Sequence, residues 1–454
     1  MAYIGLLAGL ALLILLALRG INILFASLLC GLVVALTNGM PVHQAFAEHY
    51  ATGPLGTFSF AGRFFLLFIA GAIFGRLMGE SKAATSIALA LVDRLGAHRA
   101  LVITVLACAA LTYGGVVVYV VIFAIYPLGL SLLKAADIPK RLFCAALALG
   151  AGTFTLTALP GTPSIQNVIP SVALETDLFA APLLGLVGSA IMFALGLVYL
   201  ERQRLKAKAD GEGFEPGPLD QVENIVASSD MPHWHIGILP LLLVLSTILL
   251  PRLLESLGLA PETGTLADVI NFAGNQPVFW PSLALILGSL FACAVFPSLR
   301  GRKLQVFGEG TNDAIMPLLN TAAVIGFGGI VVQTVGFQDF SSVMLNSGLP
   351  PKISAFASIS VVSAITGSAS GGLQIFMATM AENYLAMGIP ADELHRIVAM
   401  ASGGFDSLPH CGAVIAMLTI TQLTHKQAYK DVGIITVVIP VIATLCVIAL
   451  SVIA

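Results

Sequence analysis

Ala401-Ser402-Gly403-Gly404-Phe405-Asp406-Ser407-Leu408-Pro409-His410-Cys411-Gly412 interrupts a long apolar segment near the C-terminal end of the chain. It sets a carboxylate, an imidazole, hydroxyls, glycines and a proline where bilayer hydrocarbon is expected. A charge at that depth is expensive, so Asp406 reads first as functional. A Gly/Pro break there is tolerated only where protein or a water-filled cavity surrounds the freed backbone groups. Broken helices of this kind hold substrate and coupling ions in secondary transporters.

The surrounding chain supports a membrane setting. Of its 454 residues 57% are apolar and 10% charged, against about 25% charged in a soluble domain. Apolar windows of about 17–25 residues, enough to cross a bilayer as helix, recur along the whole length. The formal charge of −3 speaks against a nucleic-acid partner. The first apolar stretch, 3–18, lacks a basic n-region and a cleavage site, and reads as a retained span. Cys30, Cys108, Cys144, Cys293, Cys411 and Cys446 all fall in apolar segments without ligand spacing, so neither a metal nor a cofactor is expected.

Spans are expected at 3–18, 21–36 and 64–79, with a polar stretch around His43, Glu48 and His49 between the last two. An amphipathic interfacial helix follows over 80–99. The apolar run 101–133 is broken at Thr112-Tyr113-Gly114-Gly115, and is either a re-entrant hairpin or a broken crossing helix. The run 142–170 is broken at Thr157-Ala158-Leu159-Pro160-Gly161-Thr162-Pro163, because neither proline can donate to a helix. A span over 179–200 closes the first half. Residues 201–234, basic and then acidic and Gly/Pro-rich, read as a cytoplasmic linker. The second half repeats the plan, with spans near 236–250, 279–297 and 315–335. A run over 353–385 is broken at Gly367-Ser368-Ala369-Ser370-Gly371-Gly372. The opening motif lies in 397–421, and a last span covers 432–452.

The halves share landmarks in order. Ile138-Pro139, Gly152-x-Phe154 and Leu159-Pro160 answer to Ile389-Pro390, Gly403-x-Phe405 and Leu408-Pro409. With the Gly-Gly runs as re-entrant hairpins, sixteen of the 21 Lys and Arg fall on the linker side. Arg63, Arg252, Lys352 and Arg396 are left in loops on the other side, and Arg76 at a span end. That satisfies the positive-inside rule; twelve simple spans would put Lys134, Lys140 and Arg141 outside. The expected fold is an all-α polytopic membrane protein of two inverted repeats, 1–200 and 235–454, with broken helices, re-entrant hairpins and about 10–12 transmembrane segments.

Broken helix ends offer N–H groups to an anion and carbonyls to a cation. The candidate substrate-binding residues are Thr157, Thr162, Ser164, Gln166 and Asn167 in the first half, and Ser368, Ser370, Ser407 and His410 in the second. Asp406 is the candidate for the coupling ion. A carboxyl in low dielectric holds its proton to higher pH, which suits a proton carrier; the same group can bind sodium. The plainer alternatives are a helix-capping Asp406, a hydrogen-bonded core His410, and serines that pack helices closely. With no Lys or Arg expected deep in a span, anion binding falls to dipoles and hydroxyls, which favours a small monoanion.

Leu111-Thr112-Tyr113-Gly114-Gly115-Val116, the Thr157–Pro163 motif and Ser402-Gly403-Gly404-Phe405-Asp406-Ser407-Leu408-Pro409-His410 resemble the gluconate permease family of the ion transporter superfamily. Leu408-Pro409-His410 departs from the gluconate branch and is similar to the branch labelled 3-hydroxybutyrate permease. The resemblance implies proton symport of a small hydroxy-monocarboxylate across the bacterial inner membrane, and a homodimer. Gluconate or another sugar acid is the alternative substrate. A cation/proton antiporter without organic substrate is the alternative class. No His-Glu-x-x-His or Gly-x-Ser-x-Gly motif points to an enzyme.

Overall fold

The computed structural model describes residues 2–96, 99–116, 118–217, 220, 231–261 and 263–453. Among these the chain is helical, with no strand. Residues 218–219 and 221–230 of the expected linker lie outside the described residues. Val42–Glu80, Pro182–Ala209, Trp234–Glu255, Lys303–Val331 and His425–Ile453 are each long and apolar enough to cross a membrane. Thr265–Asn275 and Phe279–Val295 form a pair bent by 110°.

The halves meet where Thr57–Glu80 packs along Lys303–Val331. Small residues let the backbones approach. A Cβ on Gly310 would lie 2.8 Å from the backbone of Ile73, and one on Gly326 2.2 Å from Thr57 Oγ1. Both helices start before the spans expected at 64–79 and 315–335, and the second ends at Val331. Arg76 explains the second extension: it pairs with Glu309 at 2.5 Å and Asp313 at 3.3 Å, so two acids are carried into the helix. The polar stretch holding His43, Glu48 and His49 is helical, as Val42–Gln44 and a π-helix Ala45–Thr52. It buries Ala45 and Tyr50 and leaves Glu48 exposed, and the Tyr50 hydroxyl bonds Ser27 Oγ at 2.7 Å.

Both Gly-containing runs are re-entrant hairpins. The first consists of Ala100–Tyr113 and Val118–Ala136, packed together. The chain before it lies against the linker's far end, where Ser86 Oγ donates to Pro232 O at 2.6 Å. The chain after it meets the linker again, where Lys140 Nζ donates to Asp220 Oδ2 at 2.7 Å. The second hairpin consists of Pro351–Thr366 and Ala369–Thr379, continued by Ala381–Ala386. Its return limb comes back beside its entry, because Tyr384 Oη bonds Ser354 Oγ at 2.9 Å and Ser358 Oγ at 2.7 Å. Each tip turns on a left-handed glycine, Gly115 at φ 91° and Gly367 at φ 59°.

Two broken helices run antiparallel between the hairpins. The first is Lys140–Gly152, Phe154–Thr157 and Ile165–Leu174; the second is Ala391–Phe405 and Gly412–Thr421. Each starts after an extended proline, Pro139 (ψ 142°) and Pro390 (ψ 141°). Each ends on a left-handed residue, Glu175 (φ 54°) and Gln422 (φ 56°). Head meets tail at both ends: Lys140 Nζ donates to Thr421 O at 2.9 Å, and Thr176 Oγ1 bonds His395 Nδ1 at 2.7 Å. The repeats are therefore inverted.

Candidate functional site

The first break unwinds after Thr157. Pro160 and Pro163 supply no N–H, and Gly161 turns at φ 79°. Its threonines differ. Thr157 Oγ1 donates back to Thr153 O at 3.1 Å. Thr162 Oγ1 is buried with no partner among the described residues, as is Gln166 Oε1. Ser164 Oγ donates to Leu156 O at 2.5 Å, across the break.

The second break begins at Asp406, which ends the helix Ala391–Phe405. Ser407 Oγ donates to Asp406 Oδ1 at 2.8 Å. The same carboxylate faces the backbone N–H of Ala369, where the return limb of the second hairpin starts. Ser368 caps that limb by accepting from Gly371 N at 3.2 Å, and its hydroxyl meets Ser370 Oγ at 3.2 Å. His410 donates from Nε2 to Ala364 O at 3.1 Å, so it holds the same hairpin tip.

The four interruptions converge. The first tip joins the first break through Tyr113, whose hydroxyl donates to Pro160 O at 2.8 Å. The two breaks touch where a Cβ on Gly403 would stand 2.6 Å from Thr157 Cγ2. The second tip meets the second break through Asp406 and His410. The helix Ile165–Leu174 packs against both Ala369–Thr379 and Ala391–Phe405. Asp406, Ser407, Ser368, Ser370 and His410 thus form one group and Thr162, Ser164, Gln166 and Asn167 another, with Thr157 at the junction.

Asn167 has its hydrogen bonds filled by protein. Its Nδ2 donates to Thr162 O and Leu178 O, each at 2.9 Å. Its Oδ1 accepts from His395 Nε2 at 2.9 Å and Arg396 Nη1 at 3.3 Å. Arg396 corrects the sequence reading that set it in a loop and left the spans without a deep cation: it is completely buried in the second broken helix. A charge one turn inside an apolar run looks like the run's edge, and the carbonyls that satisfy this one come from the other repeat. Thr112 Oγ1, Ser360 Oγ and Ser363 Oγ are further buried hydroxyls without partners among the described residues. Only their place in the two hairpins could have signalled them.

Opposed hairpins and antiparallel broken helices meeting inside a helical membrane protein define a transporter architecture. A solved structure, the YdaH transporter of Alcanivorax borkumensis, shares the fold, with a TM-score of 0.52, 14% identity and 86% of each chain covered. The GntP family permease model matches residues 1–453, and the chain belongs to that family. It is 38% identical to the uncharacterized transporter YxjC of Bacillus subtilis over 96% of both chains. It is 24% identical to the high-affinity gluconate transporter of Escherichia coli over 94% of both. The protein is a multi-pass transporter of the bacterial inner membrane.

Proposed function

We propose that the protein takes up a small hydroxy-monocarboxylate of the 3-hydroxybutyrate kind by proton symport. The observation that carries this reading is the setting of Asp406. It is a carboxylate within a helix break, braced by the Ser407 hydroxyl and the N-terminal end of a re-entrant limb. A carboxyl so placed can take one proton while hydroxyls and backbone N–H groups nearby receive an anion. In this reading Thr162 and Gln166, buried and unpartnered among the described residues, meet the substrate, Thr157, Ser164 and Asn167 shape the segment that carries them, and Ser368, Ser370, Ser407 and His410 complete the site from the second repeat. On the same reading the repeats 1–200 and 235–454 enclose that site together, and 201–234 is their cytoplasmic connection.

A second reading, gluconate, draws on the E. coli relative. One experiment tests both: uptake of labelled 3-hydroxybutyrate into proteoliposomes, with and without an inward proton or sodium gradient, and with gluconate as competitor. Proton-driven accumulation that resists excess gluconate is expected. Accumulation driven by sodium alone refutes proton coupling, and competition by equimolar gluconate moves the substrate to the sugar acids. Cation exchange with no organic anion taken up points to an antiporter.

A further inference from the structure

We infer that Arg396 is a positioning residue that sets the charge preference of the site, so that the protein selects a monoanion over its uncharged analogue. The inference rests on the proposed uptake of a monocarboxylate. Arg396 belongs to the second repeat, yet its guanidinium is spent on the first. Nε donates to Ala180 O at 3.1 Å, and Nη2 to Ala180 O at 2.9 Å and Leu178 O at 3.4 Å. Nη1 donates to Ala158 O at 3.2 Å and Asn167 Oδ1 at 3.3 Å. Every one of these acceptors is neutral. Among the described residues no carboxylate oxygen lies within 4.0 Å of it, whereas Arg76, Lys140, Arg141 and Lys352 each have one.

An arginine does not shed its proton in a protein. Carbonyl dipoles therefore solvate this charge, and the acids that act on it, Asp177 and Asp392, do so from beyond ion-pair distance, so the buried charge is only partly compensated, which is unfavourable. The residues it grips, Ala158 and Asn167, flank the unwound segment in which Thr162 Oγ1 and Gln166 Oε1 are buried and unpartnered. Partly compensated positive charge and unfilled hydrogen-bonding groups thus share one segment, and a hydroxy-monocarboxylate brings what both need. Asp406 lies ten residues further along the same helix, about 15 Å away by helical rise. A proton arriving there together with the anion leaves the net charge of the core unchanged, whereas a dianion would not. Arg396 acts through the field it sets up and through the carbonyls it holds, without touching the substrate.

The test compares half-inhibitory concentrations of 3-hydroxybutyrate and its uncharged amide against labelled uptake in proteoliposomes, with gluconate and its amide as a second pair. Arg396→Gln should lower the preference for the anion by about tenfold or more, while Arg396→Lys, which keeps the charge, should stay within about threefold of wild type. Inserted variants that both keep the wild-type preference, or that lose acid and amide in parallel, overturn the inference and leave only a structural staple. Should Arg396→Gln fail to insert, Asp177→Asn reads the same charge from the other direction. Asp177 acts on Arg396 ahead of Asp392, and the asparagine can still accept from Phe179 N; because Asp177 also pairs with Arg252 at 3.2 Å, the substitution is compared in an Arg252→Gln background. A preference raised about threefold supports the inference, and an unchanged one overturns it. Wild-type protein that takes up neither acid refutes the proposed function itself; failure confined to the variants refutes only the role of Arg396.

Discussion

The break over 158–164 and the break over 406–411 follow helices that start alike, at Pro139 and Pro390, and their continuations end alike, at Glu175 and Gln422. Between those points their chemistry diverges. The first break carries two prolines and neutral hydroxyls, and is braced from outside by Tyr113 and Arg396. The second carries a carboxylate that leans on the hairpin of its own repeat. The difference teaches how an inverted duplication can serve two ligands. The backbone interruption is common to both repeats, so each offers a similar set of freed polar groups. The side chains decide which of them suits an anion and which a cation.

The severest way to break that comparison is to remove the titratable group. Asp406→Asn keeps the shape and the hydrogen bond from Ser407. Gradient-driven accumulation should fall by at least about a hundredfold, the scale of losing a proton-transfer group. Exchange of external for internal substrate should survive, because the first break is untouched. Accumulation at wild-type level would remove Asp406 from coupling, and the carboxylate would be a helix cap.

The breaks themselves were legible in the sequence because proline and glycine act locally: Pro160, Pro163 and Pro409 end helical hydrogen bonding wherever they stand. Inverted topology was legible through the spread of basic residues. What was hidden depends on partners remote in sequence. A Gly-Gly turn does not say whether the chain goes on or comes back; that is decided where Tyr384 returns to Ser354 and Ser358. The length of Lys303–Val331 depends on Arg76, and the burial of Arg396 on the carbonyls of residues 158, 178 and 180. Neither pairing leaves a mark in local composition.

A second way is to loosen the head-to-tail contact of the two broken helices. Lys140 and Asp220 are a buried pair, with side chains 5% and 0% exposed. Lys140→Met leaves Asp220 buried without its cation, which should cost about 3 kcal/mol. Hydrogen exchange over 212–217 should then quicken by about a hundredfold. Acid should reproduce this in the wild type. Burial pushes the Asp220 carboxyl up, but Lys140, Tyr126 and the Gly217 N–H outweigh it and hold the group below its ordinary range. A depressed carboxyl contributes stability above the unfolded value of about 3.9 and loses it as pH falls through the folded value. Protection should therefore be level from neutrality to about pH 5 and collapse at lower pH. Protection that already fades near neutrality would mean that Asp220 does not hold the linker.

Within the first break, Thr162→Val tests the unpartnered hydroxyl. Removing a buried hydroxyl with no partner should leave the substrate-free protein as stable or slightly more so. Loss of one hydrogen bond to a charged ligand should raise KM by about tenfold. The two readouts move in opposite directions, which a general packing defect cannot produce. A melting temperature and a KM that worsen together would take Thr162 out of the substrate's reach.

Thr157→Val should do least, although Thr157 stands at the junction of the two breaks. Its hydroxyl donates to Thr153 O, a carbonyl that also receives the backbone N–H groups of Leu156 and Thr157. Its methyl group, which valine keeps, is what faces Gly403. Stability should stay within about 1 kcal/mol and KM within about twofold. Paired with Thr162→Val, this substitution separates two kinds of threonine in one unwound segment, one turned back on its own helix and one left open. A tenfold rise in KM for both would mean that Thr157 rotates away from Thr153 when substrate enters, and that the contact with Gly403 opens during transport. A rise for Thr162→Val alone would make that contact a fixed hinge between the repeats, with the substrate held on the Thr162 side of it.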